Sequence, residues 1–382
     1  MAISQFKHVK ITGIDYVIPS NICRNIDDYI HLFDNSTKKL ERAKKIIGYG
    51  PRYSAPEGIT TVDICVQSAE HLVSKLNIDK STIDSVILVT QTPDYISPAS
   101  AQIIQKELGL QKSCAVFDVT QGCTGYVYGL WLASSLIESK ASKRVLLCSG
   151  DVIRFDPDLD QKASLLFSDA GCSTILEYSD DEVYSSYLIG SDGYQYEAML
   201  FPSSCARLPV NTETLNTIIT DKDGNRWRLN GSFMDGLAVF DFTMNVIPEH
   251  IKELLSVSNF QIDDIEFIGV HQANKQIVEI LVSKAGIPEN KYSINTFINY
   301  GNTAGTSCIL NVLDSFQCDF KNTENNIALV SFGAGLSWAS AILQFNFLQY
   351  SDIRLVPFNV KRTYKEEFEY WKNKIENYSA SK

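Results

Sequence analysis

Three residues far apart in the sequence have side chains that could together form a nucleophile with hydrogen-bonding partners. Cys123 stands between an apolar run, residues 114–119, and a helical pattern that begins at Thr124. This pattern predicts a strand-to-helix turn with a thiol in the first turn of a buried helix. Because unpaired backbone N–H groups and the helix dipole favour a thiolate there, Cys123 is the candidate nucleophile. His271 and Asn302 are its candidate partners.

An internal duplication of the sequence indicates the two partners. The apolar stretch that ends at His271 aligns with the one that ends at Gln91. Asn302 aligns with Cys123, and a helical pattern follows each of these two residues. In this alignment, residues 298–300 correspond to the end of the predicted strand before Cys123. If the two halves pack pseudo-symmetrically, both strand-to-helix turns face one cleft, with His271 beside them.

A cysteine, a histidine and an asparagine admit two chemistries. In a Cys-His-Asn protease the histidine is the base and the asparagine orients it. Two neutral hydrogen-bond donors that converge from separate turns instead suit stabilisation of an enolate oxygen near a thioester. The glycine-rich residues 332–335 follow another strand, and their N–H groups could form a second oxyanion site. Taken singly, each of these residues is more often structural, so the combination carries the hypothesis.

The rest of the chain has the pattern of an α/β protein, with short apolar strands alternating with helices. Residues 1–178 are predicted to form the first half, with the nucleophile, and residues 236–348 the second half, with His271 and Asn302. The polar residues 179–235 between them suit a cap or connecting segment better than a core. Residues 349–382 form a C-terminal appendage that is expected to pack on its own subunit or on a partner.

Composition excludes several classes of function. The 382 residues include 34 basic and 45 acidic side chains, and the net charge of −11 argues against nucleic acid or an anionic membrane as the main partner. Nine scattered cysteines without a C-x-x-C or H-E-x-x-H motif fit reduced thiols and no zinc site. Neither a signal peptide nor an apolar run long enough to span a membrane is present. These features predict a cytoplasmic protein with no metal or cofactor.

The motifs together resemble the beta-ketoacyl-ACP synthase III family of the thiolase superfamily, over residues 7 to 346. The resemblance implies a five-layered α-β-α-β-α thiolase fold made of two duplicated halves. It also implies a homodimer and a ping-pong decarboxylative Claisen condensation. The matching stretches are Gly122-Cys123-Thr-Gly125, Phe167-Ser-Asp-Ala-Gly171, His271-Gln-Ala-Asn274, Gly301-Asn302-Thr303 and Phe332-Gly-Ala-Gly-Leu-Ser-Trp338.

The same resemblance implies a role for each matching residue. Cys123 would take an acyl group from an acyl-CoA or acyl-ACP donor. His271 and Asn302 would bind the thioester carbonyl of a malonyl-ACP or malonyl-CoA extender, favour loss of CO2 and hold the enolate. A beta-ketoacyl thioester is a second possible extender. The backbone N–H groups of Cys123 and Ala334 would form the acyl oxyanion hole. The expected substrate-binding residues are Ser97, Asn274, Gly333 and Gly335.

Two departures from the family's pattern concern the carrier of the substrate. The Trp and Arg residues that hold CoA are missing, since residues 41–46 read Glu-Arg-Ala-Lys-Lys-Ile and Gln161 replaces an Arg. Asp241 and Gln276 stand where the family typically has the Lys and Arg residues that bind acidic ACP, while Lys275 and Lys284 remain nearby. With the C-terminal appendage, these departures suggest a specialised member in secondary metabolism or unusual lipid synthesis.

A third departure concerns the acyl chain. Ser97 stands where the family often has a Phe that reaches the partner subunit's acyl pocket. A smaller residue there predicts room for a longer or branched acyl chain.

Three alternative functions stay open. Cys123 could pass its acyl group to an amine, a hydroxyl or a carbon acceptor without decarboxylation, although an intact His271–Asn302 pair argues against this. A mechanism like that of HMG-CoA synthase needs a carboxylate base beside the nucleophile, for which the matching loop offers only Asp94. From a different class, the chain could be a non-catalytic partner subunit of a related condensing enzyme.

Overall fold

The structure of the protein is a computed structural model that describes residues 1–153, 165–222, 226–320 and 326–378. Gln161 lies outside these residues. The larger elements of the described chain are two β-sheets and the helices that pack on them.

The first sheet consists of β2 (Val9–Pro19), β5 (Ser85–Val89), β6 (Ala115–Val119), β7 (Arg144–Asp151), β8 (Ala170–Tyr178) and β17 (Tyr350–Val356). Its order is β17-β2-β8-β7-β5-β6, so β6 forms one edge. The strands β5 and β7 are parallel, whereas β8 is antiparallel to both β7 and β2.

The second sheet consists of β1 (Ala2–Phe6), β9 (Ser185–Ser191), β14 (Phe267–Val270), β15 (Asn326–Gly333) and β16 (Ser337–Gln344). Its order is β1-β9-β16-β15-β14. The series β9-β16-β15-β14 repeats β2-β8-β7-β5 in position and in strand direction: β14 and β15 are parallel, and β16 is antiparallel to both β15 and β9. The predicted duplication is therefore confirmed.

The α-helices of the described residues are α1 (Thr37–Ile47), α2 (Thr61–Lys75), α3 (Ala101–Leu108), α4 (Gly125–Glu138), α5 (Thr212–Asn216), α6 (Gly236–Ser258), α7 (Lys275–Ala285), α8 (Asn295–Tyr300), α9 (Ser307–Ser315) and α10 (Tyr364–Glu376). Helices α4 and α9 lie between the two sheets, α2 and α3 cover the outer face of the first sheet, and α6 and α7 cover that of the second. The helices thereby complete five layers, and this arrangement confirms the predicted α-β-α-β-α fold.

The structure corrects two interpretations of local pattern. The segment 179–235, interpreted as a cap, supplies the buried strand β9, whose small and polar residues hid its place in the sheet. Residues 298–300, aligned with a strand end, belong instead to the short helix α8. The described remainder of the cap segment includes two short antiparallel pairs, β10 (Met199–Leu200) with β13 (Phe233–Met234), and β11 (Ile218–Thr220) with β12 (Arg226–Arg228).

The C-terminal appendage packs on its own chain. Its strand β17 pairs in parallel with β2 and extends the first sheet. Arg354 of β17 donates two hydrogen bonds to the fully buried carboxylate of Asp15, at 2.9 and 2.7 Å, and a third to the carbonyl of Gln67. His71 also contacts Asp15, at 2.7 Å. Because a buried carboxylate without its cation is costly, this pair binds the appendage to the core.

We expect Arg354→Ala to lower the free energy of unfolding by about 3 kcal/mol, because it leaves the buried carboxylate of Asp15 without the guanidinium that pairs with it. The matched control is Arg362→Ala, which breaks the exposed pair with Glu367 and should cost about 1 kcal/mol or less. Urea denaturation of both variants checks this. Equal losses would show that the appendage is not fixed through Asp15.

Candidate active site

Cys123 lies on the turn between β6 and α4, two residues before the helix begins, with 7% of its surface exposed. The N–H of Gly125 donates to the carbonyl of Gly122 at 2.8 Å and closes this turn. The end of β15 packs directly on the thiol, since a Cβ added to Gly333 would lie 2.6 Å from Cys123 Cβ and 2.9 Å from Sγ. A glycine is therefore required beside the nucleophile.

Burial determines the protonation state of this thiol at rest. Desolvation and the negative charge of Asp151 raise the pKa of Cys123 to about 12. The backbone N–H groups of Ala334 and of Cys123 itself oppose this rise in pKa. The expected thiolate at the helix start is therefore wrong for the resting protein. The same two N–H groups were predicted to form the oxyanion hole, and they do face the sulfur.

His271 follows the last residue of β14 and is almost fully buried. Its N–H donates to the carbonyl of Val330 at 2.8 Å, and its ring meets the Phe332 ring edge-on, with centroids 5.2 Å apart. Burial lowers the pKa of His271 to about 4, while the carbonyl of Ala304 works in the opposite direction. The imidazole is therefore neutral at pH 7.

Ser307, the first residue of α9, contacts one ring nitrogen of His271. Its Oγ lies 2.6 Å from Nδ1 and accepts the N–H of Gln272 at 3.1 Å. When the Ser307 hydroxyl donates to Nδ1, the ring proton resides on Nε2, which is then a hydrogen-bond donor.

Asn302 is held in a similar way. Its backbone N–H donates to the carbonyl of Leu166 at 2.9 Å, and its side-chain Oδ1 accepts the N–H of Ala304 at 2.9 Å. A backbone N–H can only meet the amide oxygen, so the amide orientation is determined. No described residue accepts a hydrogen bond from Nδ2, which leaves this group as a donor.

The three residues are joined through short contacts. A Cβ added to Gly305 would lie 2.7 Å from the carbonyl oxygen of Gly122, so the Asn302 turn touches the Cys123 turn. On the other side, Phe332 packs on His271 and the next residue, Gly333, packs on the thiol. The two duplicated turns therefore meet, as the alignment of the two halves predicts.

A cavity of about 360 Å³ opens at Cys123. One wall comes from the 179–235 segment, through residues that sequence reasoning did not select because nothing in their spacing indicated a site. His271 and Asn302 do not line this cavity. Its lining residues are Gln91, Thr120, Gln121, Gly122, Cys123, Ile153, Phe167, Met199, Leu200, Phe201, Ser232, Ala334 and Gly335.

Asp151 is a buried carboxylate beside the site that sequence reasoning also missed. It accepts hydrogen bonds from the N–H and the side-chain amide of Gln91 and from the hydroxyls of Thr90 and Thr92. Desolvation raises the pKa of Asp151 to about 6, and these donors oppose the rise. The carboxylate thereby fixes Gln91 against the cavity.

The remaining candidate residues lie in different places. Gly335 lines the cavity and Gly333 packs on the thiol. Asn274 caps α7, since its Oδ1 accepts the N–H of Ile277 at 2.9 Å, and Ser97 lies on an exposed loop before Pro98. Neither lines the cavity. Asp94 accepts a hydrogen bond from the hydroxyl of Thr60 at 2.9 Å and does not line the cavity either.

The described residues contain no group of three or more His, Cys, Asp or Glu side chains that could hold a metal ion. A membrane-spanning helix is likewise absent from the part of the chain that the structure describes.

Comparison with known proteins identifies this architecture. Residues 117–193 match the model for 3-oxoacyl-[acyl-carrier-protein (ACP)] synthase III, and residues 255–345 match its C-terminal model. A putative 3-oxoacyl-[acyl-carrier-protein] synthase 3 from Campylobacter jejuni is 32% identical over 92% of this chain and 98% of its own. A beta-ketoacyl-[acyl-carrier-protein] synthase III from Clostridium perfringens is 30% identical over 88% of this chain and 99% of its own.

Solved structures agree. The crystal structure of a 3-oxoacyl-(acyl-carrier protein) synthase from Burkholderia xenovorans has a TM-score of 0.84 at 32% identity, over 93% of this chain and 99% of that one. These similarities define the protein as a thiolase-fold acyltransferase of the condensing class. The chain belongs to the beta-ketoacyl-ACP synthase III family, and the resemblance seen in the motifs is confirmed.

The raised thiol pKa has a direct consequence for alkylation. We expect the rate at which iodoacetamide modifies Cys123 to rise about tenfold per pH unit from pH 7 to 10, because only the thiolate reacts. The exposed Cys23 and Cys205 are internal controls for access of the reagent. Peptide mass spectrometry measures all three. A plateau for Cys123 below pH 8 would mean that the helix dipole outweighs burial.

Loss of the Ser307 hydroxyl should weaken His271 as a donor. We expect Ser307→Ala to slow malonyl decarboxylation about fivefold, which corresponds to a hydrogen bond of about 1 kcal/mol, and to leave acyl loading on Cys123 unchanged. Ser340→Ala is the matched control, since Ser340 lies 2.8 Å from Nε2 of the buried His250. If both variants decarboxylate equally, Ser307 does not orient the catalytic ring.

Proposed function

We propose that this protein catalyses a decarboxylative Claisen condensation in which Cys123 is the acyl carrier. In the loading step, Sγ attacks the carbonyl carbon of an acyl thioester, and the carrier's thiol leaves with the proton that the cysteine gives up. The N–H groups of Cys123 and Ala334 bind the oxyanion that forms on the way. Such backbone donors are effective because they are already oriented when the charge develops.

His271 and Asn302 serve the second step. Nε2–H of His271 and Nδ2 of Asn302 bind the carbonyl oxygen of a malonyl thioester. The bond to the carboxylate then breaks, CO2 leaves, and its electron pair passes into an enolate whose oxygen both donors hold. If values for oxyanion holes apply here, each donor contributes about 2.7–4 kcal/mol.

The last step forms the carbon–carbon bond. The enolate carbon attacks the carbonyl of the acyl-Cys123 thioester, the tetrahedral intermediate collapses, and the cysteine leaves as a thiolate that regains a proton. Burial around the site excludes water that would otherwise hydrolyse the acyl-enzyme.

One observation carries this proposal. Nδ1 of His271 lies against the Ser307 hydroxyl and Oδ1 of Asn302 accepts the N–H of Ala304, so Nε2 of His271 and Nδ2 of Asn302 are the side-chain nitrogens proposed as donors. Two neutral donors suit an enolate oxygen. They do not suit a cysteine protease, where the asparagine contacts the histidine and the histidine takes the thiol proton.

The substrates proposed follow the family. The acyl donor is an acyl-CoA or acyl-ACP, and the extender is malonyl-ACP or malonyl-CoA. A homodimer joined at β6 is part of the proposal, because β6 is a half-exposed edge strand that would otherwise present unpaired backbone groups to water. Ile96, 90% exposed beside Ser97, places an apolar tip on the loop assigned to the partner's acyl pocket.

Variants of the three residues separate loading from condensation. Intact-protein mass spectrometry should show an acyl adduct on His271→Ala and Asn302→Ala, and none on Cys123→Ala. Condensation by the first two should fall about 10²–10³-fold, because each loses one oxyanion donor.

Each other outcome excludes the proposal or part of it. Equal loss of loading and condensation in His271→Ala would make His271 the base for Cys123. An acyl adduct that transfers to amines or alcohols without CO2 release would identify a different acyltransferase. No adduct with any donor would leave a non-catalytic subunit.

A panel of acyl-CoA and acyl-ACP donors tests the acyl chain. We expect medium-length or branched groups to load onto Cys123, because Ser97 leaves space where a Phe would stand. The variant Ser97→Phe should lose the longest groups and keep acetyl. Loading of acetyl and propionyl alone by the wild-type protein would contradict this, and the mass added to Cys123 distinguishes the cases.

A further inference from the structure

Helix α1 concentrates positive charge in a chain whose net charge is −11. It holds five basic residues and one acidic residue among eleven. Lys39 pairs with Asp34 at 2.5 Å, and Lys44 pairs with Asp27 and Glu41. The other three, Lys38, Arg42 and Lys45, are exposed and form no ion pair with a described residue.

These three residues, called here the α1 stripe, share one face of the helix. Their spacing of four and then three residues places them above one another along the helix surface. Ile46, an exposed apolar residue, lies beside them, whereas Leu40 is buried and fixes the opposite face to the protein. The stripe is therefore a rigid row of cations with an apolar neighbour.

The stripe ends next to the active-site residues. Lys275 donates from Nζ to the carbonyl of Lys45 at 3.2 Å, and a Cβ added to Gly48 would lie 2.8 Å from Lys275 Cβ. Lys275 is the first residue of α7, four residues after His271. A partner on the stripe would thus lie beside the end of the protein that holds the enolate donors.

The alternative basic surface on α6 and α7 is weak. Asp241 on α6 is acidic and accepts a hydrogen bond from Asn245 at 2.8 Å. Lys284 on α7 donates to the same Asn245 at 3.3 Å, and Gln276 is uncharged. An acidic partner attracted to this face would meet mixed charge there and unpaired cations on α1.

We propose that the α1 stripe is the docking surface for an acidic acyl carrier protein that delivers a thioester to the active site. The inference rests on the proposed function. Since the protein as a whole is negative, a negative carrier is attracted only by a local field, and unpaired cations on one face provide it. Such an attraction between exposed charges is screened by salt.

The test uses one triple variant, Lys38→Ala/Arg42→Ala/Lys45→Ala, in the full-length protein. Three malonyl substrates are compared: malonyl on a bacterial acyl carrier protein, malonyl-CoA, and malonyl-N-acetylcysteamine, which lacks protein and phosphate. We expect KM for the carrier-protein substrate to rise about tenfold or more, with its salt dependence flattened, because exposed interface charges act mainly on association. The two small substrates should react unchanged.

A matched control removes three other exposed lysines. Lys143→Ala/Lys365→Ala/Lys372→Ala changes net charge equally, and none of these lysines forms an ion pair with a described residue. It should leave all three KM values unchanged. A rise equal to that of the stripe variant would mean that only net charge matters and would overturn the proposal.

The remaining outcomes also test the docking surface. If KM of the stripe variant rises equally for malonyl-CoA and for the carrier-protein substrate, the cations bind the phosphate groups that both substrates carry, and protein docking is excluded. If no substrate is affected, the stripe has no part in delivery. Should the wild-type protein condense none of the substrates, the proposed function fails, and titration of the unloaded carrier protein against both variants still tests the docking surface.

Discussion

The contact between the Gly122 and Gly305 turns is the constraint on which the active site depends. Each turn precedes a helix of the central layer, α4 or α9, and these helices are buried between the two sheets. A side chain on Gly305 would lie 2.7 Å from the carbonyl of Gly122, so the two helix starts approach only because a glycine stands there. Packing of the central layer thereby brings the thiol near the turn that carries Asn302. The catalytic geometry is a consequence of how the duplicated halves close on each other.

The same burial leaves the catalytic groups uncharged at rest. Desolvation raises the pKa of Cys123 to about 12 and lowers that of His271 to about 4, so a thiolate–imidazolium pair is not the resting state. In the proposed enolate step, negative charge develops on a substrate oxygen, where fixed N–H donors meet it. Donors that are oriented beforehand need little reorganisation when this charge forms. Neutral surroundings therefore fit enolate chemistry better than the proton abstraction that a protease requires.

Much of this could be predicted from the sequence because the duplication carries geometric information. The strands around Cys123 and His271 and the helices that follow them have strong apolar periodicity, which predicts an α/β protein. The five layers were expected only from the resemblance of the motifs to the family. Strand β9 was not predicted because its serines and glycine are not typical of a buried strand, although β9 lies within the sheet beside β16. The thiol pKa could not be predicted from position alone, since desolvation depends on what packs around the turn. The cavity wall at Met199–Leu200 depends on long-range contacts that leave no local signal.

Asp151 shows how positioning and reactivity conflict in this site. Its carboxylate accepts hydrogen bonds from residues 90–92 and so orders the start of the loop that leads to Ser97. Its negative charge also raises the pKa of the nearby thiol and thus opposes formation of the nucleophile. In the proposed reaction, this opposition applies to loading, where Sγ must pass through a charged form. Once Sγ carries an acyl group it is a neutral thioester, and the carboxylate no longer disfavours it. The electrostatic cost of Asp151 in that reaction therefore falls on acyl loading and on the release of the thiolate, while the proposed enolate donors lie on the other half of the duplicated site.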